Sequence, residues 1–596
     1  MANYCKNIFE FIEQQEASFE LPIHINESWE WGFKKHVKTT ENYSHSQLNN
    51  GKDDWTPVKN ITRSNLNLQH WTEDVDEKDV QLYVNDPDQY HTSLLVKKYH
   101  DDVFVVENDL DTYFDELRDS RIDYGAGLSK KLFKARPEVV PLQSIAFCSQ
   151  KDILSAPFGI FHDYSPNDLL DMRDAGWGSK ANGATHTVEE LITMWREQDK
   201  NEDCLKIYEV HGTLPALFAN PEAGEYDYET RIFIVSFIQP KDSTQKKGVI
   251  LYTAEESVSD TFKITKRDPI FGRALGFGGA EELFEAQVWT NYDMIRKQKM
   301  LDAAAVTILS SDDPTIRAKH PKGLKGMKNL EIIDRAPNTT LGQVDTFPRN
   351  MQLFDKSISD WEVHAKEVSG AQDPLQGKEP ASGTPFASLN AQIQQAMGSH
   401  KERRKQFARH LEEQYRDWII PHIEKEITKG FEFLSELSSE ELIYVVKRLE
   451  KGEWVKQWNI HFAEKVLNEE PFAEGEYEEF IAKLREDFKS KGNKHFLKAL
   501  KEDFKNTKIK VSIAGGGSNL SEMADKITKI FQFVFANPDG FLKVMQIPGM
   551  ATSFNKLLEF SGMTPSDFSD IEKLMQQSAQ QPQPEQPQLP AQPVAA

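Results

Sequence analysis

RDPIFGRALGFGGAEELFEAQVWTNYDMIRKQKMLDAAA, residues 267–305, joins a Gly/Pro approach to the fullest helix pattern in the chain. Pro269 fixes its own φ, and the glycines that follow allow the backbone to turn sharply or to pass close to another strand. A helix is expected from about Glu281. Glu281, Glu282 and Glu285 fall in its first turns and Arg296, Lys297 and Lys299 come later, an order that opposes the helix macrodipole. Leu283, Phe284, Val288, Trp289, Tyr292, Ile295, Met300 and Leu301 are not confined to one stripe, so the helix is expected to need cover on several sides, some of it from other copies of the chain.

Downstream, residues 310–345 change texture. Arg317 to Lys328 holds Arg317, Lys319, Lys322, Lys325 and Lys328 with no acidic residue, within an otherwise acidic chain. A second helix is predicted over 348–368, with Pro348 near its first position and Met351, Leu353, Phe354, Ile358, Trp361 and Val363 as its apolar set. Residues 369–383, SGAQDPLQGKEPASG, are too rich in glycine and proline for regular structure. Thr384 and Pro385 then mark the start of a helix running to about Ile420, where Pro421 kinks or ends it; about 36 residues make a rod of about 54 Å. Its GSHKERRKQ segment is strongly basic, so only the ends of this helix are expected in a core.

Upstream, residues 1–60 carry a short helical pattern and then aromatic-rich sequence that reads as an extended arm. VQLYV and VFVVE read as strands ahead of a helix near Leu110, and a helix is expected from about Val188. KIYEVHG, YETRIFIVSFI and GVILYT, between Cys204 and Tyr252, predict an antiparallel meander. Residues 421–505 read as charged helices, KIKVSI (508–513) as a strand, and the Gln/Pro tail from about 576 as disordered.

At 596 residues, several subdomains are expected. No run approaches the roughly 18 apolar residues of a membrane span, and MANYCKNIFEFIEQQE lacks the organisation of a secretory signal, so no membrane partner is expected. Cys5, Cys148 and Cys204 lack metal-site spacing. A net charge of −23 argues against tight, general binding to nucleic acid, yet it suits a duct past which a duplex slides without sticking. GFGG at 276–279 and GGG at 515–517 miss the dinucleotide and NTPase loop patterns, GSKANGAT at 178–185 has Ala184 where lysine belongs, and neither HExxH nor GxSxG occurs. No catalytic residue, metal or cofactor is expected.

The order of these pieces resembles the portal, or head-to-tail connector, proteins of tailed bacteriophages. In that family a glycine-containing approach leads into a helix with an acidic start, followed by a small insertion, a second helix, a loop and a very long helix. The resemblance, over roughly residues 60–570, is one of order and texture. It implies an α+β, mainly α fold: an N-terminal arm (1–60), a wing with antiparallel strands (61–280), a stem helix (281–309), a clip (310–345), a second stem helix (346–368), a tunnel loop (369–383), a long wing helix and its helical companions (384–505), a crown-like region (506–575) and the tail (576–596). It further implies a homo-oligomeric ring, twelve-fold in the family, at one capsid vertex of the virion, assembled in the host cytoplasm. Such a ring conducts double-stranded DNA during packaging and ejection. It docks the terminase large subunit and the tail or head-completion adaptors, and it sits in the major capsid protein shell. Leu283, Trp289, Tyr292, Phe354 and Trp361 would pack between subunits, the five cations from Arg317 to Lys328 would form a basic collar, and Gln372, Asp373, Lys378 and Glu379 would face the channel. The alternative from a different class is an intracellular nucleic-acid-processing enzyme with a dispersed active site.

Overall fold

The computed structural model describes residues 7–513, except 47–56, 85–88, 198–202, 225, 239–246, 306–308, 320–335, 344–350, 372–396, 431, 472–474 and 491, and beyond these only 529 and 532. The described chain is mixed α/β and mainly helical. It divides into two units, Met1–Asp74 with Thr112–Phe407 and Val75–Asp111 with Ala408–Ala596.

In the first unit the stretch read as an extended arm is folded. Asn7 caps helix α1 (Ile8–Phe19) by accepting from the Glu10 amide at 2.9 Å; strands β1 (Ile23–Asn26) and β2 (Trp29–Trp31) pair, and α2 (Phe33–Ser44) follows. Ile8, Ile12, Phe19, Trp31 and Phe33 are all buried in the core of the sheet described next, at about 1.5–3 kcal/mol per large side chain. The aromatic density, read as an extended arm, is what a helix and hairpin need to cover one face of a sheet.

Helix α3 (Ile61–Thr72) and, from Thr112 onward, helix α4 (Leu110–Tyr124) lead into two sheets. Strands β3 (Ala126–Lys131), β4 (Pro137–Val140), β5 (Ile145–Phe147), β6 (Phe158–Tyr164), β7 (Leu205–Pro215), β8 (Tyr228–Ile238), β9 (Lys247–Glu255) and β10 (Phe262–Lys266) make a five-stranded antiparallel sheet, β9-β8-β7-β6-β5, and a three-stranded one, β10-β3-β4. The predicted meander is β7-β8-β9, with Val210 opposite Phe233 and Ser236 opposite Val249. Large parts of β8 and β9 are unbroken apolar runs because both faces are covered. Tyr208, Val210, Phe233 and Val235 join α1 on one side, while Ile207, Ile234, Val249 and Leu251 meet Val188 and Leu191 of the predicted helix, Val188–Arg196, on the other.

After β10 the Gly/Pro segment crosses the start of β3. Arg267 and Gly276 both donate backbone N–H groups to the Gly125 carbonyl, at 2.8 and 3.1 Å, and a Cβ on Gly276 would lie 1.8 Å from the Arg267 carbonyl oxygen. Only glycine fits that crossing. Helix α5 (Phe284–Ala305), strand β11 (Leu309–Ser311), a short helix (Pro314–Lys319), strand β12 (Leu341–Gln343, antiparallel to β11), helix α6 (Met351–Ser369) and the first turns of α7 (Gly398–Gln414) complete the unit.

The second unit pairs Val80–Tyr83 antiparallel with Lys510–Ile513, so VQLYV and KIKVSI, both predicted strands, close one two-stranded sheet. VFVVE is not a strand. It lies in a π-turn, His100–Phe104, and a helical turn, Val105–Asn108, because His100 and Phe104 are buried and His100 shares a 2.8 Å hydrogen bond with the Tyr415 hydroxyl. Tertiary contact there overrides β-propensity. Nor does Pro421 end the long helix. A π-turn over Tyr415–Ile419 hands the axis to α8 (Ile420–Ile427), placing the proline at the start of a new register where its missing N–H matters least. Helices α9 (Ser439–Leu467), α10 (Glu476–Ser490) and α11 (Gly492–Asn506) follow; Ser438 and Glu441 form the capping box of α9. No helix among the described residues is long and apolar enough to cross a membrane.

Candidate assembly surface

Helices α5 and α6 pack side by side, and the side chains between them explain how α5 carries so many large residues. The helix is not apolar all round. Gln287, Thr290, Asn291 and Asp293 are buried along it, and Gln287, Asn291 and Asp293 are matched to partners. The Gln287 Oε1 accepts from the Ile61 and Thr62 amides at 2.8 and 3.0 Å, capping α3, and its Nε2 donates to the Lys59 carbonyl and to Asn291. Ser357 of α6 donates to Asp293 at 2.6 Å. These buried amide and carboxylate contacts set the register of α5 against α3 and α6.

With one side satisfied by polar contacts, the aromatic residues are pushed to another. Leu283 is buried, whereas Trp289 and Tyr292 are each 44% exposed, Phe284 is 40% exposed, and Phe354 and Trp361 are partly covered. Trp289 stacks on Trp361 with centroids 6.3 Å apart and planes 9° apart, and it meets Tyr292 edge-on at 5.8 Å. Arg296 lies 4.0 Å over the Tyr292 ring and donates to its hydroxyl at 2.8 Å. The predicted packing residues therefore separate. Leu283 belongs to the chain's own core, while Trp289, Tyr292 and Trp361 form a rigid, half-covered aromatic ridge.

The same helices stand on a buried charged seat that the sequence reading missed. Glu73 is fully buried, with Arg121 Nη1 3.0 Å from one carboxylate oxygen and Arg267 Nη2 and His400 Nδ1 each 3.6 Å from the other. Glu282, at the entry to α5, takes Arg403 at 2.7 Å and Arg267 at 3.4 Å, and Arg403 also reaches Asp268 at 2.7 Å. Burial alone would raise the Glu73 pKa, but the His400 contact and the Arg267, Arg121 and Arg403 charges outweigh it and hold the carboxyl below its ordinary value. Gln69 donates to Glu282 and to the Ser369 carbonyl, both at 3.2 Å. Gly370 has φ +71°, and a Cβ there would meet His400 Nε2 at 2.8 Å, so the end of α6 and the start of α7 are fitted to one another. The basic GSHKERRKQ segment is thus buried at His400 and partly buried at Arg403. One signal was available: His400, Arg403, Phe407 and Leu411 recur at helical spacing on one face.

Of the remaining predicted site residues, Arg317 and Lys319 fall in the short helix Pro314–Lys319. Lys322, Lys325, Lys328, Gln372, Asp373, Lys378 and Glu379 lie outside the described residues, as do the GGG run at 515–517 and the tail from 576.

Compared with known proteins, the chain matches no protein-family model and no curated protein. Among solved structures it is similar to a chain from the neck of an empty GTA particle computed with C6 symmetry, at 9% identity and a TM-score of 0.32, over 72% of this chain and 97% of that one. A superposition that loose carries no weight for the fold or the function.

Proposed function

We propose that the protein is a structural, ring-forming portal-type subunit, a conduit for double-stranded DNA at a capsid vertex and a platform for the packaging motor and tail adaptors. The observation that carries the reading is the aromatic ridge on α5 and α6. Trp289 and Tyr292 remain 44% exposed although another side of α5 is engaged by buried polar contacts, so packing among the described residues leaves this face open to a neighbour. A ridge of this kind used by every copy, against a different face of the next copy, generates a closed ring when the rotation closes. The element order supports the same reading: two long helices flank an insertion whose ends pair as β11 and β12, and a further long helix follows. The acidity of the chain, net −23, suits a duct that does not hold DNA.

Native mass spectrometry of the purified full chain tests the proposal. The expected result is a closed ring of about twelve copies, the number the family resemblance implies. A monomer or dimer at micromolar concentration, under conditions where the protein is folded, overturns it.

A further inference from the structure

The sheets of the first unit hold a histidine that the assembly reading does not use. His211 on β7 is fully buried. A carboxylate faces each ring nitrogen: Nδ1 lies 2.6 Å from Glu256 Oε2, and Nε2 lies 3.1 Å from Glu209 Oε1. Phe158 stacks on one face of the ring, with centroids 5.4 Å apart and planes at 23°, and Phe262 meets it edge-on at 4.6 Å. A neutral imidazole has one N–H and one lone pair, so in either tautomer it would turn a lone pair toward a carboxylate. The imidazolium donates its Nδ1–H to Glu256 and sets its positive charge 3.1 Å from Glu209, without the alignment of a hydrogen bond on that side, and a phenyl face favours a cation stacked on it.

The surroundings balance that charge. Glu209 also takes Lys130 of β3 and, at 3.1 Å, His162 of β6. Lys130 and a protonated His211 offset Glu209 and Glu256. Other charged groups on these strands include Asp163 of β6, Lys206 of β7, Arg231 of β8, held by Glu229 at 2.5 Å, Lys131 of β3, Lys263 and Lys266 of β10, and Glu138, opposite Lys130 on β4. Lys130 belongs to the three-stranded sheet and Glu209 and His211 to the five-stranded one, so the cluster joins the two.

We propose that His211 is a charged clamp between the two sheets of the first unit, a proton-dependent latch that opens when the ring is deprotonated. The latch does not depend on the assembly reading. Burial works against the charged ring, yet Glu209 and Glu256 outweigh it and raise the His211 pKa above 6.5, while Lys130 and His211 hold Glu209 well below 4.5 despite its burial. The signs follow. The His211 contribution is fully present below pH 6.5 and is lost as pH rises through the raised folded value; that of Glu209 is present above pH 4.5 and lost only on strong acidification.

The test is solid-state nitrogen NMR of histidine-labelled full-length protein, in whatever assembly it forms, with His211 assigned as the signal absent from His211→Gln. At pH 6.5 both ring nitrogens of most His211 rings are expected to be protonated, and Glu256→Gln should lower the midpoint of the titration by about 1–3 pH units. Where His211→Gln fails to fold, Glu256→Gln serves for assignment as well, as the one histidine signal whose midpoint moves. A His211 ring with one bare nitrogen in most molecules at pH 6.5, or a midpoint unmoved in Glu256→Gln, overturns the latch.

Discussion

Glu73 is a fully buried carboxylate whose ionised state rests on the Arg121, Arg267 and His400 contacts. Replacing it with glutamine leaves Arg121, Arg267 and Arg403 to share Glu282 and Asp268, so one buried guanidinium loses its counter-charge. Glu73→Gln is expected to destabilise the first unit by about 3–5 kcal/mol, read as an earlier transition in denaturant melts. A melt superimposable on that of the native chain would show the seat to be energetically idle. His36 works in the opposite sense. Burial lowers its pKa from 6.5 to about 4, with Arg273 adding to the fall and Glu281 opposing it. The ring is therefore neutral in the folded chain and takes up a proton on unfolding at mildly acid pH. Its folded value is depressed, so its stability contribution is complete above pH 6.5, declines as pH falls toward 4 and levels off below that. His36→Gln should remove part of the acid loss, up to about 3 kcal/mol between pH 7 and pH 4. Equal acid profiles for the two proteins would contradict the assignment.

At the scale of elements, the decisive pair is α5 with α6. The Trp289–Trp361 stack holds the ridge rigid, so a neighbour binding there loses little side-chain entropy. Trp289→Asp places a charge at the centre of the ridge without touching Leu283, Gln287 or Asp293. It is expected to give folded monomers with unchanged circular dichroism; intact rings from this variant would show that subunits meet elsewhere. The insertion between the helices makes a separate prediction. Reversing Lys322, Lys325 and Lys328 to glutamate should leave ring formation intact and impair DNA retention or tail attachment, and a normal yield of filled, tailed particles would refute the basic collar.

For the whole molecule the acidic balance matters most. With 94 acidic side chains against 71 basic ones, long-range repulsion opposes tight binding of the duplex. Purified rings are expected to bind double-stranded DNA only weakly, and raising salt from 50 to 200 mM should change that affinity far less than the roughly thousandfold seen when many phosphates are neutralised. A steep salt dependence would place the protein among nucleic-acid readers and remove the sliding-duct argument.

Much of this was legible in sequence because it is local. The acidic entry to α5, the glycine crossing at 276 and the three long strands of the meander each depend on residues within a few positions of one another, where dipole, φ preference and alternation act directly. The role of the charged seat was decided only in three dimensions. Glu73, Arg121, Arg267, Glu282 and His400 come from distant segments, and each looks like an ordinary surface charge until folding removes water from all of them at once. The same holds for VFVVE and Pro421, where the burial of Phe104 and a π-turn overrode sound local rules. Sequence determined helix and strand where local rules act alone; tertiary structure decided the exceptions, which charges are interior and which aromatics stay uncovered, because burial belongs to the packed assembly of segments and not to any one of them.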